Sequence, residues 1–135
     1  MIPNLSIPRV LLIDDDDLVA IALYQHLVSN GIDVDLATEP SRAEALMRQH
    51  RYSLVVMDAY LTGMLHDRAM ELVDRVLQLC PEARIVLLSA YGSEQLATSL
   101  RRASKLTVIS KPQPVVFLGE VIGEFLNNGT LSIKV

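Results

Sequence analysis

Five short apolar or alternating runs, each followed by a longer stretch of helical period, constrain this chain more than any other feature. Arg9 to Ile13 reads as a buried strand, and Leu18, Ile21, Ala22 and the Leu27-Val28 pair then recur at helical spacing. Asn30-Gly31 supplies a left-handed stop. Ile32, Val34 and Leu36 alternate with Asp33 and Asp35 as a half-exposed strand should. Ser41-Arg42-Ala43-Glu44 has the spacing of a capping box, with Ala43, Leu46, Met47 and His50 on one helix face. Leu54 to Met57, Ile85 to Leu88 and Leu106 to Ile109 are continuous apolar runs. Helices follow them: one carrying Ala69, Leu72, Val73, Val76 and Cys80 before Pro81, one from Gly92 to about Arg102, and one from Val115 to Asn127. A strand before each helix implies a parallel sheet covered on both faces. Right-handed crossovers leave few topologies, and the expected one is a doubly wound α/β sheet of order 2-1-3-4-5.

Composition sets the outer limits. The 135 residues suit one domain with a real core, and a chain that is 50% hydrophobic and 21% charged is not a disordered one. A net charge of -4 argues against a nucleic-acid surface, no apolar run reaches membrane-spanning length, and residues 1–8 lack the charged and apolar regions of a leader. The lone Cys80 sits in a helical apolar pattern and reads as a small core residue. The reading is a cytoplasmic protein with an extension over 1–8, one domain over 9–128 and a tail over 129–135, too short for an output domain.

In a sheet of this order, ligands bind beyond the carboxyl ends of the strands, where the order reverses between the first and third. Asp14 and Asp15 end the first strand and Asp58 ends the third. Ser89 ends the fourth, and Lys111 follows the fifth. Converging carboxylates repel, and a hard divalent cation such as Mg²⁺ removes that repulsion. A cation, an ammonium and a hydroxyl around one free carboxylate suit phosphoryl transfer, with the carboxylate attacking while positive charge holds the transferring oxygens. Each residue alone has an ordinary reading. Asp16 and Asp17 suit a helix start, Asp58 a turn, and Ser89 a cap. The set is far more specific than its members.

The stretches Val10-Leu11-Leu12-Ile13-Asp14-Asp15-Asp16, Leu54-Val55-Val56-Met57-Asp58, Ile85-Val86-Leu87-Leu88-Ser89-Ala90 and Ser110-Lys111-Pro112 carry a family resemblance. From Arg9 to Asn128 the chain resembles the receiver domain of bacterial two-component response regulators, a flavodoxin-like fold. The resemblance implies that Asp58 accepts a phosphoryl group from the histidine of a sensor kinase or phosphotransfer protein. It implies that Asp14, Asp15, Asp58 and the Tyr60 carbonyl hold Mg²⁺. Ser89 and Lys111 would bind phosphoryl oxygens, and Lys111-Pro112 would be cis. Tyr60 and Tyr91, two places after Asp58 and Ser89, would stand at the mouth of the site and slow hydrolysis. A receiver of this kind is a signalling domain and not an enzyme.

Four stretches depart from the family's pattern. Thr62-Gly63 replaces the usual Pro-Gly turn, and Leu65-His66 stand where Asp-Gly is usual. Val108 replaces the aromatic residue whose ring couples to the movement of the hydroxyl side chain, here Ser89. Ser104-Lys105 replaces a Gly-Ala stretch before the last strand. A degenerate receiver used only for docking is therefore one alternative. A haloacid-dehalogenase-type phosphohydrolase using Asp14 and Asp16 is another, but it leaves Asp58 unexplained and lacks a later acidic motif. A flavodoxin-like electron carrier fails because four carboxylates would repel its phosphate. His26, His50 and His66 show no metal-ligand spacing. In the last helix Val115, Gly119, Gly123 and Leu126 widen the apolar arc beyond one packed face. Either the Gly92 helix or the tail covers them, or the last two helices contact a second copy or a target.

Overall fold

The computed structural model describes residues 8–14, 17–58, 66–89, 106–110 and 114–128. In chain order these form β1 (Arg9–Ile13), α1 (Asp17–Ser29), β2 (Asp33–Ala37), α2 (Pro40–Gln49), β3 (Leu54–Asp58), α3 (His66–Leu79), β4 (Arg84–Ser89), β5 (Leu106–Ser110) and α4 (Val115–Asn128). The helix expected from Gly92 lies outside the described residues. All strand pairings are parallel, in the order β2-β1-β3-β4-β5. The topology read from the sequence is the observed one.

Alternation along each strand splits the core in two. Leu11, Ile13, Val55, Met57, Ile85 and Leu87 point to one face and pack with Ala43, Leu46 and Met47 of α2 and Leu72, Val73 and Val76 of α3. Val10, Leu12, Leu54, Val56, Val86, Leu88 and Ile109 point to the other, against Leu23 and Leu27 of α1 and Leu118, Val121, Ile122 and Phe125 of α4. Both faces are buried, so the inner strands need unbroken apolar runs. Each such side chain contributes about 1.5–3 kcal/mol on burial. Cys80 belongs to the first core, where burial pushes its thiol pKa up.

The expected stop of α1 forms. Gly31 takes a φ of 81°, and the Gly31 and Ile32 N–H groups donate to the carbonyls of Val28 (3.0 Å) and Leu27 (3.1 Å). The helical spacing before that stop is borne out. The buried face of α1 is Ala20, Leu23 and Leu27, while Ile21, Ala22 and Val28 are exposed. This helix is apolar on most of its circumference, so periodicity alone does not choose the face. Two other local expectations fail. The capping box is absent: Glu39 caps α2 without a side-chain hydrogen bond, and Pro40 opens the helix one residue earlier than Ser41. Proline suits a first helical position, and Glu44 is drawn instead to Arg75 on α3 at 2.8 Å and to Arg48 at 3.7 Å. The Arg75 hydrogen bond lowers the Glu44 pKa. Finally, His50 is an exposed C-cap with an extended backbone, because the chain turns there toward β3.

Part of the surplus arc of α4 faces α1, while the two expected covers, the Gly92 helix and the tail, lie outside the described residues. The groove beside Gly119 and Gly123 is lined by His26, Leu27 and Asn30 from the end of α1 and by Ile32 just after it. A Cβ built on Gly119 would stand 2.5 Å from the His26 ring, so this glycine admits the imidazole.

Candidate functional site

The strand register sets the site. Ile13 is paired with Met57, so Asp14 and Asp58 leave the carboxyl ends of neighbouring strands side by side. Asp58 pairs with Leu88, one residue before Ser89, and Ser89 pairs with Ser110, one residue before Lys111. The ends of β1, β3, β4 and β5 therefore lie along one edge, where the sheet order reverses. The Asp14 N–H donates to the Ala37 carbonyl at 3.0 Å, extending the β1–β2 ladder to the first carboxylate.

Asp14 and Asp58 are 7% and 6% exposed, and among the described residues they are the only buried charged side chains. Neither lacks a partner. Beneath them, Leu12, Ile13, Ala20, Leu23, Val56, Met57 and Leu88 line a void of about 10 Å³. That leaves room for about one water. Solvation from below is therefore slight, and two carboxylates over an apolar floor repel each other at short range. An all-oxygen donor pair of this kind suits a hard cation such as Mg²⁺. Asp14 and Asp58 fit that role. No group of three or more potential ligand side chains occurs among the described residues.

Asp15, Tyr60, Tyr91 and Lys111 lie outside the described residues, as do Thr62-Gly63 and Ser104-Lys105. Ser89 and Val108 are placed by their backbones, Ser89 at the end of β4 and Val108 opposite Leu87. His26 and His50 are both remote from the carboxylates, on the α1–α4 seam and the end of α2. The sequence reading missed one polar network on β2, at the opposite edge of the sheet. Arg9 pairs with Asp33 at 3.1 Å and with Asp35 at 3.6 Å, and the Tyr52 hydroxyl donates to Asp35 at 2.6 Å. Burial and the Asp35 carboxylate push the Tyr52 pKa up. The alternating aspartates of β2 were the one signal for it.

Comparisons with known proteins agree with this geometry. A family described as response regulator receiver domain matches residues 10–122. The chain is similar to the photosynthetic apparatus regulatory protein RegA of Rhodobacter capsulatus, with 27% identity over 103 residues, covering 76% of this chain and 54% of that protein. It is similar to the chemotaxis protein CheY of Bacillus subtilis, with 28% identity over 121 residues, covering 88% of this chain and 98% of that one. Among solved structures, a CheY-like response regulator receiver domain protein from Methanospirillum hungatei JF-1 superposes with a TM-score of 0.77 at 26% identity, covering 90% and 95% of the two chains. The chain thus spans about half the length of the first relative and nearly all of the second. No described helix is long and apolar enough to cross a membrane.

Proposed function

Because the chain belongs to the response regulator receiver domain family, we propose that residues 9–128 accept a phosphoryl group on Asp58 and pass the signal on through a binding surface. The observation that supports this most is the pair of buried carboxylates, Asp14 and Asp58, at adjacent strand ends. Burying two like charges is costly unless something gathers around them. A receiver gathers a cation and a phosphoryl group there.

In this reading an Asp58 carboxylate oxygen attacks the phosphorus of a phosphohistidine on a sensor kinase or phosphotransfer protein. The new P–O bond forms as the P–N bond breaks, and the imidazole leaves with its electron pair. Asp14, Asp15, Asp58 and the Tyr60 carbonyl would hold Mg²⁺, which when bound would supply positive charge to the phosphoryl oxygens, and the Lys111 ammonium and the Ser89 hydroxyl would bind the remaining phosphoryl oxygens. Ser89 and Val108 carry the change toward β5. A valine there presents no ring to rotate, so coupling runs through packing. Tyr60 and Tyr91 crowd the water that would attack the acyl phosphate. The chain turns over no substrate of its own and acts in the cytoplasm without nucleic acid or membrane.

The test is incubation with a small acyl-phosphate donor and Mg²⁺, followed by mapping of the label. Stable label on Asp58, lost in Asp58→Asn and in Asp15→Asn, is the expected result. Continuous release of phosphate without stable label would favour the phosphohydrolase, and label at another residue would displace Asp58. No label at all would leave a receiver used only for docking.

A further inference from the structure

At the end of the sheet remote from Asp14 and Asp58, the core beneath α2 and α3 is open between the entrances of β3 and β4. A hollow of about 240 Å³ there is lined by Arg51, Tyr52, Leu79, Cys80, Pro81 and Glu82. Tyr52 and Cys80 belong to the buried core, and Leu79 packs against it half-buried. Arg51 and Glu82 are exposed at the rim. An apolar cavity of roughly 150 Å³ already holds a benzene ring, so this hollow has room for an aliphatic side chain.

The entrance of β1 lies beside it. The Ser53 N–H donates to the Arg9 carbonyl at 2.8 Å and the Arg84 N–H to the Ser53 carbonyl at 3.0 Å, so β1, β3 and β4 start along one rim. Residues 1–7, which lead into that rim, lie outside the described residues. They include Met1, Ile2, Leu5 and Ile7 and no charged side chain. Pro8 favours an extended Ile7, because the helical region is disfavoured before proline. Alternate side chains of an extended chain share a face, so Leu5 and Ile7 follow Arg9, Leu11 and Ile13. Leu11 and Ile13 are in the same core as Tyr52 and Cys80. Four residues, about 13 Å of extended chain, separate Leu5 from Arg9, enough to cross two strand spacings of about 4.8 Å.

We propose that residues 1–7 fold back beneath the sheet as a strap, with the Leu5 side chain in the hollow between Tyr52, Leu79 and Cys80. The tail after α4 is the rival occupant. α4, however, packs on the opposite face of the sheet, with Leu12, Val56 and Ile109, and the tail carries Lys134. Face and charge both favour the leading segment. A tethered segment meets its site at an effective concentration on the order of millimolar, so modest affinity suffices to occupy the hollow. The strap completes the core under α2 and α3 and shields the Cys80 thiol. It lies a strand's length, about 17 Å, from the carboxylates, and it closes without phosphorylation at Asp58.

Cys80 is the sole cysteine, so a second one placed in either segment reports proximity by closing an intramolecular disulfide. Closure needs the two Cα atoms within about 7 Å. Leu5→Cys, Ser6→Cys and Leu131→Cys, in dilute solution with oxidised glutathione, are followed by mass spectrometry. Leu5→Cys should close at least tenfold faster than Ser6→Cys, whose side chain faces away, and than Leu131→Cys on the tail. In 6 M guanidinium the advantage of Leu5→Cys over Ser6→Cys should vanish, because the two loops differ by one residue. Removing residues 2–7 should raise native alkylation of Cys80 by iodoacetamide at least threefold, with circular dichroism confirming that the shortened chain folds. Equal closure at positions 5 and 6, no closure at any position, or unchanged alkylation would overturn the strap. Fastest closure for Leu131→Cys would overturn it too and assign the hollow to the tail.

Discussion

Replacing Tyr52 with phenylalanine should lower stability at neutral pH and raise it in strong alkali. Tyr52 is 4% exposed, and its hydroxyl donates to Asp35 at 2.6 Å. A hydrogen bond to a charged group contributes about 1.5–3 kcal/mol. Asp35 keeps Arg9 at 3.6 Å and a side chain 30% exposed, so water replaces part of the loss. The expected cost therefore falls just below that range, at about 1–1.5 kcal/mol, or roughly 3–5 °C in melting temperature. Burial first, then the Asp35 hydrogen bond and charge, raise the Tyr52 pKa above its ordinary value of 10.0. Below pH 10 the phenol keeps its proton folded or unfolded, and its full contribution is present. Above it the unfolded chain ionises while the folded one does not. Stability then falls by up to about 1.4 kcal/mol per pH unit. Phenylalanine has no such slope, so the two unfolding free energies should converge near pH 11 and cross beyond it. Urea titrations followed by circular dichroism at pH 7, 9 and 11 measure this. A gap that is constant with pH would refute the buried, carboxylate-bound phenol.

Three further outcomes follow from particular contacts. Gly119→Ala drives a methyl to within 2.5 Å of the His26 ring and should destabilise by about 1 kcal/mol net, whereas Gly123→Ala fills open space and should stabilise by about 0.5–1 kcal/mol; equal urea midpoints at low concentration would contradict the seam. Cys80 is 5% exposed with its thiol pKa raised by burial, although a hollow of about 240 Å³ opens beside it. An aromatic disulfide reagent should label it at least a hundredfold faster in 6 M guanidinium than in native buffer, and rapid native labelling would show the thiol to be accessible. Tyr60→Ala or Tyr91→Ala, labelled with the same small donor, should lose phosphate faster than wild type; unchanged rates in both would remove the proposed shielding.

The strands were legible because burial on both faces demands unbroken apolar runs too short for helices, as in Leu54 to Met57 and Ile85 to Leu88. Asp14 and Asp58 were legible for the opposite reason: charge directly after such a run is expensive and marks a place where chemistry offsets the cost. The face of α1 was not legible. Ile21, Ala22, Leu23, Leu27 and Val28 are all apolar, and only the position of α4 decides which of them turn inward. The apparent capping box at Ser41 failed because two signals competed in six residues, and Pro40 with the distant Arg75 prevailed. The Arg9–Asp33–Asp35–Tyr52 network joins residues far apart in sequence, and nothing local announces it.

That network also bears on the site. β2 is an edge strand, held to the sheet along one side only. At its start Arg9, Asp33, Asp35 and Tyr52 tie it to β1 and to the entrance of β3, while at its end the Asp14 N–H holds the Ala37 carbonyl. The first carboxylate is thus fixed from its backbone side by a strand that is itself pinned at both ends. α1 starts three residues after Asp14, and its far end is seated on α4 through His26 and Gly119. A charge added at Asp58 would act beside an Asp14 whose backbone is held by the β1–β2 ladder, three residues before the start of α1, the end of a helix that responds most to nearby charge. α1 and α4 share one core cluster, with Leu23 and Leu27 against Leu118, Val121, Ile122 and Phe125, and the His26 imidazole lies over Gly119. α2 and α3, on the other face, are tied in addition by the 2.8 Å Arg75–Glu44 pair.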